Sequence, residues 1–370
     1  KYLYMKIESI KEKLVEAISR AEKVAQKNAT LPVLSGISLE AIGGMLTIRA
    51  TNLDLGISIN IPVKVITEGQ VVVPANIFSS LLNSLSKEKN VSLTLDKQVL
   101  LVETSSTKSS IKTLPSEEFP IIPEIGGGSN FSVPTKDLVA GLKSVIYAAA
   151  QGSIKPELSS VCLIHEGEFL VFVATDSFRL AEKKIKVRKI PNFNQILIPQ
   201  KNAQEIIRIF DGLTEDVSIS IEENQIAMKS GAVYLVSRTI DGAFPDYKQI
   251  IPKESQSKVV VLKQDLVSSL KTSLIFSDNF NQLKIHISPK EKKFEIESKN
   301  QDVGENKEAV EAVIEGDEIS VNVNHRYFTD SFSSIASDSL NLSFVGDGRP
   351  ILIEGVGDKS FMYLLMPMNR

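Results

Sequence analysis

Residues 173–184 read VATDSFRLAEKK, and residues 49–60 read RATNLDLGISIN. Alanine-threonine opens both runs, with Ala50 and Ala174 standing 124 positions apart. Each reads as a strand running into a turn, so the two copies share one structural slot. Their contents differ. Leu53 and Leu55 flank Asp54 in the first copy, whereas the second presents Ser177, Phe178, Arg179 and Leu180, a bulky and a cationic group. Asp176 reads as a turn residue that caps its own backbone. Divergence inside a shared slot points to a binding turn in the second copy.

Working outward, the same step recurs three times along the chain. Helical apolar spacing appears in IKEKLVEAISRAEKV from 10, PTKDLVAGLKSVIYAA from 134 and LKQDLVSSLKTSLIF from 262, aligned on Leu14, Leu138 and Leu266. Thr135 and Asp265 stand where N-terminal caps belong. VVVPANIFSSLL and ILIPQKNAQEII carry Pro74 and Pro199, and ISVNVNHRYFTDSF fills the equivalent place in the third repeat. SEEFP and DGAFP carry Pro120 and Pro245. VSLTLDKQVLLV from 91, VSISIEENQIAM from 217 and LNLSFVGDGRPILI from 340 each read as a hairpin with period-two apolar residues. Every repeat is itself two similar strand-helix-strands halves. The reading is therefore α+β: three domains at 5–128, 129–256 and 257–370, joined near GGGSN and PKESQS. KYLY ahead of Met5 reads as sequence added before a natural start, so residues 1–4 are set apart from the fold.

The chain has 370 residues, 42% of them hydrophobic, enough for several real cores. No apolar run approaches the roughly 18 residues that span a bilayer, and no secretory leader is visible, so the chain reads as soluble. One cysteine, Cys162, excludes an intrachain disulfide framework and fits a reducing compartment. A net charge of −3 argues against a generally basic nucleic-acid binder but leaves room for a local basic lining.

The search for catalytic chemistry finds little. His165, His286 and His325 lie apart, each in or beside a strand pattern, and Cys162 sits in a strand-like run as a buried, inert thiol. Metal-ligand spacing and a phosphate loop are both missing. Two readings stay open on these residues: a hydrolase using Asp176 and a histidine, and a structural scaffold of three α+β modules. Turnover abolished by Asp176→Asn would favour the first. A chain that stays monomeric would favour the second.

Four runs in order on this repeat, TLPVLSG at 30–36, ATDSFRLA at 174–181, GAFPDYKQIIP at 242–252 and MPM at 366–368, carry a family resemblance. From Met5 to Arg370 the chain resembles the bacterial DNA polymerase III beta subunit, the sliding clamp. The resemblance implies two chains joined head to tail into a ring of six domains, with helices inside, sheets outside and duplex DNA through the hole. It implies a cytoplasmic processivity factor without catalysis or cofactor. Its partners would be double-stranded DNA, a second copy, the DNA polymerase III alpha subunit, the clamp loader, and other polymerases and repair proteins carrying clamp-binding peptides. No membrane is implied.

Carried over residue by residue, the resemblance assigns three sites. A peptide cleft takes Leu158, Thr175, Ser177, Phe178, Arg179, Leu180, Pro245, Ile250, Asn324, Tyr327, Met366, Pro367 and Met368, with Phe280 beside it. Adaptable methionines and an aromatic rim suit a promiscuous groove. Arg179 and Leu180 are expected to anchor the peptide while Asp176 fixes the turn. The DNA channel takes Lys27, Lys155, Lys201 and Arg208, contacts that need only be electrostatic because topology supplies the hold. The dimer interface takes Ile111 against Ile275 and Phe276 of the opposite chain, with 105–115 as an edge strand awaiting a partner. Three departures from the family pattern stand out: Asn28-Ala29 before the TLP run, Ser177-Phe178 in place of glycine-histidine, and Gln249 and Asn369 in place of cationic or apolar residues.

Overall fold

The computed structural model describes residues 4–26, 31–85, 88–152, 154–346 and 348–368. The first repeat runs β1 (Tyr4–Ile10), α1 (Lys11–Glu22), β2 (Gly36–Ile42), β3 (Met45–Thr51), β4 (Leu55–Pro62), β5 (Lys64–Thr67), β6 (Gly69–Pro74), α2 (Ala75–Ser84), β7 (Asn90–Asp96), β8 (Val99–Glu103) and β9 (Lys108–Lys112). The second runs β10 (Ser129–Val133), α3 (Thr135–Val145), β11 (Ser160–Glu166), β12 (Phe169–Thr175), β13 (Arg179–Lys186), β14 (Ile196–Pro199), α4 (Gln200–Phe210), β15 (Val217–Glu222), β16 (Gln225–Ser230) and β17 (Val233–Arg238). The third runs β18 (Ser257–Leu262), α5 (Lys263–Ile275), β19 (Gln282–Ser288), β20 (Lys293–Asn300), β21 (Gly304–Val310), β22 (Ala312–Gly316), β23 (Ile319–Asn324), α6 (His325–Asp330), β24 (Ser339–Phe344), β25 (Ile351–Gly355) and β26 (Phe361–Leu365). Three repeats of two strand-helix-strands halves are all there. Tyr4, set apart in the sequence reading, is the first residue of β1 and lies opposite Asp96.

Local sequence explains the elements. β1 alternates exposed and buried residues without a break, with Met5 and Ile7 fully buried. α4 buries Ala203, Ile206, Ile207 and Phe210 while Lys201, Gln204 and Arg208 face solvent, a single apolar stripe. Ile206, Ile207 and Phe210 each contribute roughly 1.5–3 kcal/mol by leaving water, and the Ala203 methyl less. The expected cap at Thr135 is a different contact: Thr135 already lies inside α3 and its hydroxyl donates to the Glu215 carbonyl. Asp265 likewise sits within the first turn of α5, where its charge opposes the helix dipole's positive end.

The chain divides into two compact units. The first (1–139, 189–192 and 201–239) holds a five-stranded sheet, β5-β1-β7-β8-β9, and an eight-stranded sheet, β10-β15-β16-β17-β4-β3-β2-β6. The second (140–188, 193–200 and 240–370) holds a nine-stranded sheet, β14-β11-β12-β13-β26-β25-β24-β18-β22, and a four-stranded sheet, β21-β20-β19-β23. Two rules generate this order. Each half-repeat lends its first strand to the other half's sheet: β1 leaves β2, β3 and β4 for β7, and β6 takes its place beside β2. Sheets then run on from repeat to repeat, through β4 against β17 in the first unit and β13 against β26 in the second. Both joints are antiparallel, and the three sequence-predicted hairpins are β7-β8, β15-β16 and β24-β25. α1 packs on β3, β4 and α2, and α5 packs on β20, β21 and α6.

Gly128 opens β10 where backbone meets backbone. A Cβ there would stand 1.7 Å from the Ile221 carbonyl oxygen, so the run of glycines before β10 is a close approach as well as a connector.

Candidate partner-binding site

The turn after β12 is held by its own side chains. Thr175 Oγ1 donates to the Arg179 carbonyl at 2.6 Å and accepts from the Ser177 N–H at 3.2 Å. Asp176 Oδ1 accepts from the N–H groups of Phe178 and Arg179 at 2.9 and 3.0 Å. The turn after β3 is built the same way. Thr51 Oγ1 donates to the Leu55 carbonyl and accepts from the Leu53 N–H, both at 3.0 Å. Asn52 Oδ1 accepts from Asp54 and Leu55 at 3.0 and 2.8 Å. In the third repeat Asn300 Oδ1 accepts from the Asp302 N–H at 2.9 Å. The recurring Asx, preceded by threonine in the first two repeats, is thus a backbone device, while the second Asp176 oxygen, Oδ2, accepts from the Arg179 side chain Nε at 3.0 Å.

Arg179 is engaged within the chain. Its guanidinium also donates to Asp330 at the end of α6, and lies 4.2 Å from the Tyr327 ring centroid and 6.0 Å from that of Tyr147. Burial would lower its pKa, but the neighbouring Tyr363, Asp176 and Asp330 outweigh that and push it upward. Leu180 is 1% exposed, packed in a cluster with Cys162, Leu197, Phe244, Tyr247 and Leu364. In this structure the two residues expected to anchor a peptide are an ion-paired cation and a buried leucine. A side chain in β13 that alternates inward belongs to the core, and a cation between two carboxylates is already paired.

What faces outward is apolar. Phe178 is 60% exposed and Ile250 50%, with Ser177 and Pro245 also exposed. Tyr327, Met366, Pro367 and Met368 are half-buried. Backbone bonds stitch the C-terminal run to this surface: the Met366 N–H donates to the Phe178 carbonyl at 2.8 Å, and that of Met368 to Asn322 at 2.7 Å. Asn324 caps α6, accepting from Arg326 and Tyr327 N–H groups at 3.0 and 3.2 Å. Its amide also donates to the carbonyl of the exposed Phe280 at 3.2 Å. Thr175 and Leu158 are buried, the latter with its carbonyl accepting from Ala150 at 2.9 Å. The segment carrying Pro245 and Ile250 is pinned by Tyr247, whose hydroxyl donates to buried Glu182, and by Lys248 on Glu166. Sequence reasoning missed Tyr147, Asp330 and Tyr363. Only Arg179's need for partners hinted at them.

Of the channel cations, Lys201 and Arg208 are exposed on one face of α4, and Lys155 is exposed in the run before β11. Lys27 lies outside the described residues, as do Asn28, Ala29 and Asn369. Two further cations gather at the end of α4. Lys23 Nζ donates to the Arg208 carbonyl at 2.8 Å, and Arg20 donates to the Ile209 carbonyl, a favourable arrangement at a helix C-terminus. Burial and then Arg20 hold the Lys23 pKa below its usual value. Basic residues three apart in SRAEK were the available signal.

At the sheet ends, β9 and β21 are both edge strands. Ile111 in β9 is 5% exposed and so already packed within its own unit, whereas Ile275 is 67% exposed and Phe276 half-buried. Cys162 is fully buried in β11, and burial pushes its thiol up to about 12. His165 bonds the Gly167 carbonyl at 2.7 Å and His325 the Leu270 carbonyl at 2.9 Å. No helix among the described residues is long and apolar enough to cross a membrane.

Three such repeats, each of two strand-helix-strands halves with sheets running on from repeat to repeat inside each unit, define the clamp fold. Profiles of the DNA polymerase III beta subunit match the chain over 5–123 (N-terminal domain), 132–246 (central domain) and 248–369 (C-terminal domain). The chain belongs to that family, the bacterial beta sliding clamps. It is 28% identical to the beta sliding clamp of Bacillus subtilis over 380 aligned positions, covering 99% of this chain and 100% of the relative. That of Caulobacter vibrioides is 26% identical over 377 positions, with the same coverage. Among solved structures, the DNA polymerase III beta subunit of Thermotoga maritima superposes with a TM-score of 0.94 at 27% identity, covering 99% of this chain and 100% of that one. The Bacillus subtilis DNA polymerase sliding clamp gives 0.93 at 27% identity, with the same coverage.

Proposed function

We propose that two copies of this chain close head to tail into a ring around duplex DNA and tether the replicative polymerase and other peptide-bearing partners. One observation carries the reading. The joints β4-β17 and β13-β26 are built alike, and the equivalent strands left over, β21 and β9, both end their sheets. Pairing β21 of one copy with β9 of the other repeats the joint a third time and, done twice, leaves none of these joint-forming strands unpaired.

The same equivalence names further interface residues. In the first joint the third residue of α4, Asn202, meets the turn at Asp54; in the second the third residue of α6, Tyr327, meets Arg179. The third residue of α2 is Ile77, 52% exposed, and the corresponding turn carries Val303, 59% exposed. Two exposed apolar side chains at matching positions support a contact between copies, alongside exposed Ile275 and half-buried Phe276, with Ile111 packed beneath the β9 edge.

The remaining assignments follow from that assembly. Lys155, Lys201, Arg208, Lys23 and Arg20 give a lining of cations that holds the phosphate backbone without reading bases. Phe178, Ile250, Tyr327, Met366 and Met368, with Ser177, Pro245 and Pro367, form the contact surface for partner peptides. Leu158, Thr175, Arg179, Leu180 and Asn324 hold its walls. The DNA polymerase III alpha subunit, the clamp loader, and other polymerases and repair proteins are the partners that family membership supports. The protein acts as a processivity factor with no catalysis of its own, in the cytoplasm, as three domains bounded near 128 and 256.

Retention on nicked circular plasmid after loading, followed by release on linearisation, tests the ring. Protein that stays on the linear form, or never stays on the circle, removes it.

A further inference from the structure

We propose that Arg179 is a positioning residue, a latch that holds the turn 175–180 against α6 and so sets the separation between exposed Phe178 on that turn and Tyr327 on α6, the two walls of the proposed peptide surface. This rests on the partner-binding reading above. The guanidinium bridges two elements far apart in sequence: Asp176 Oδ2 at 3.0 Å on the turn and Asp330 at the end of α6. Its plane is covered by Tyr327 at 4.2 Å. Tyr327 in turn receives the Tyr363 hydroxyl on its carbonyl at 2.7 Å, tying α6 to β26, which pairs with β13 through Arg179 opposite Leu365. The loop of contacts therefore closes on itself.

The first joint shows that the turn does not need this arginine. There the same Thr-Asx turn forms with Leu55 in Arg179's place, paired opposite Ser237 as Arg179 is opposite Leu365. Leu55 is 1% exposed, and Asn202 closes the joint with a bond to the Asp54 carbonyl at 3.3 Å. At the second joint Asn202's place is taken by Tyr327, and an aromatic ring with a sandwiched guanidinium replaces a small amide. Arginine presents its donors as a rigid planar fork and stacks on rings, which a lysine does not reproduce. The latch is thus an addition to the shared architecture, placed beside the exposed Phe178 and the half-buried Met366.

The test uses the full chain with Arg179→Ala, Arg179→Lys, Asp330→Asn and the double variant Arg179→Ala/Asp330→Asn. The probe for binding is a fluorescein-labelled peptide ending in Leu-Phe. The probe for the latch is the distance distribution between spin labels at positions 178 and 326, both exposed. The expected result is a narrow distribution in the parent that broadens in all variants. Each single change then weakens peptide binding by roughly tenfold, and the double by little more than either, as coupled partners do. If Arg179→Ala weakens binding while Asp330→Asn does not, and the distances stay narrow, Arg179 contacts the peptide directly and the latch is overturned. Unchanged distances with unchanged binding also overturn it. A parent that binds no such peptide but whose distances broaden in the variants removes the partner-binding reading and leaves the latch as the device that sets the two walls.

Discussion

Leu53 and Ser177 adopt the same left-handed backbone conformation, with φ of 76° and 77°, in turns 124 positions apart. Neither is glycine, for which that region is free. Each is held there by a threonine hydroxyl before it and an Asx carboxyl or amide that collects the next N–H groups. Conserving this geometry across two copies with different side chains shows that the backbone, not the exposed residue, is what the repeat preserves.

Replacing Leu53 by glycine relieves a left-handed penalty of about 1–2 kcal/mol for an L-residue, partly offset by the entropy glycine adds to the unfolded chain. Leu53→Gly is expected to raise the unfolding free energy by up to about 1 kcal/mol in urea titration. A loss of similar size would show that the exposed leucine side chain stabilises the turn itself.

Asn202 is buried, with its amide donating to Ser237 Oγ at 2.9 Å and to the Asp54 carbonyl at 3.3 Å. Asn202→Ala removes both bonds and should destabilise by roughly 1–3 kcal/mol, seen as a lower urea midpoint with an unchanged slope. An unaltered midpoint would place no weight on that joint.

A charge at the proposed contact between copies should separate them. Ile77→Asp and Val303→Asp are each expected to weaken self-association by about tenfold or more, some 1.4 kcal/mol, in sedimentation velocity across a concentration series. Both residues are exposed in the single chain, so folding should be unaffected. A dimer of undiminished affinity in both variants would refute the third-joint geometry.

Cys162 predicts a pH dependence. Its thiol is raised to about 12 by burial, against roughly 8.5 for a thiol in the unfolded chain. The folded state therefore prefers the protonated form. Its stabilising contribution is complete below pH ~8.5 and is lost as pH rises from there toward about 12, at up to ~1.4 kcal/mol per unit. Between pH 8.5 and 10 the urea midpoint should fall in the parent and fall less in Cys162→Ala. Tyr247, which shares the same cluster and is likewise raised by burial, adds its own loss only above its ordinary range near pH 10. Equal slopes in parent and variant would mean the thiol is not the titrating group.

Much of this molecule was legible in the chain because its signals are local. Period-two strands, helical stripes and prolines at strand ends recur at a fixed step, and the Thr-Asx turns need only residues within five positions of one another. Family membership was readable from the runs at 174–181, 242–252 and 366–368 for the same reason. Tertiary structure alone decided the rest. The exchange of first strands between halves and the joining of β4 to β17 and of β13 to β26 depend on which edges meet, and edges carry no sequence label. The role of Arg179 was likewise out of reach, since Asp330 lies 151 positions away and only packing brings its carboxylate to the guanidinium. That Leu180 is buried in a core cluster was also decided by packing, since its neighbours Phe244 and Leu364 lie far along the chain.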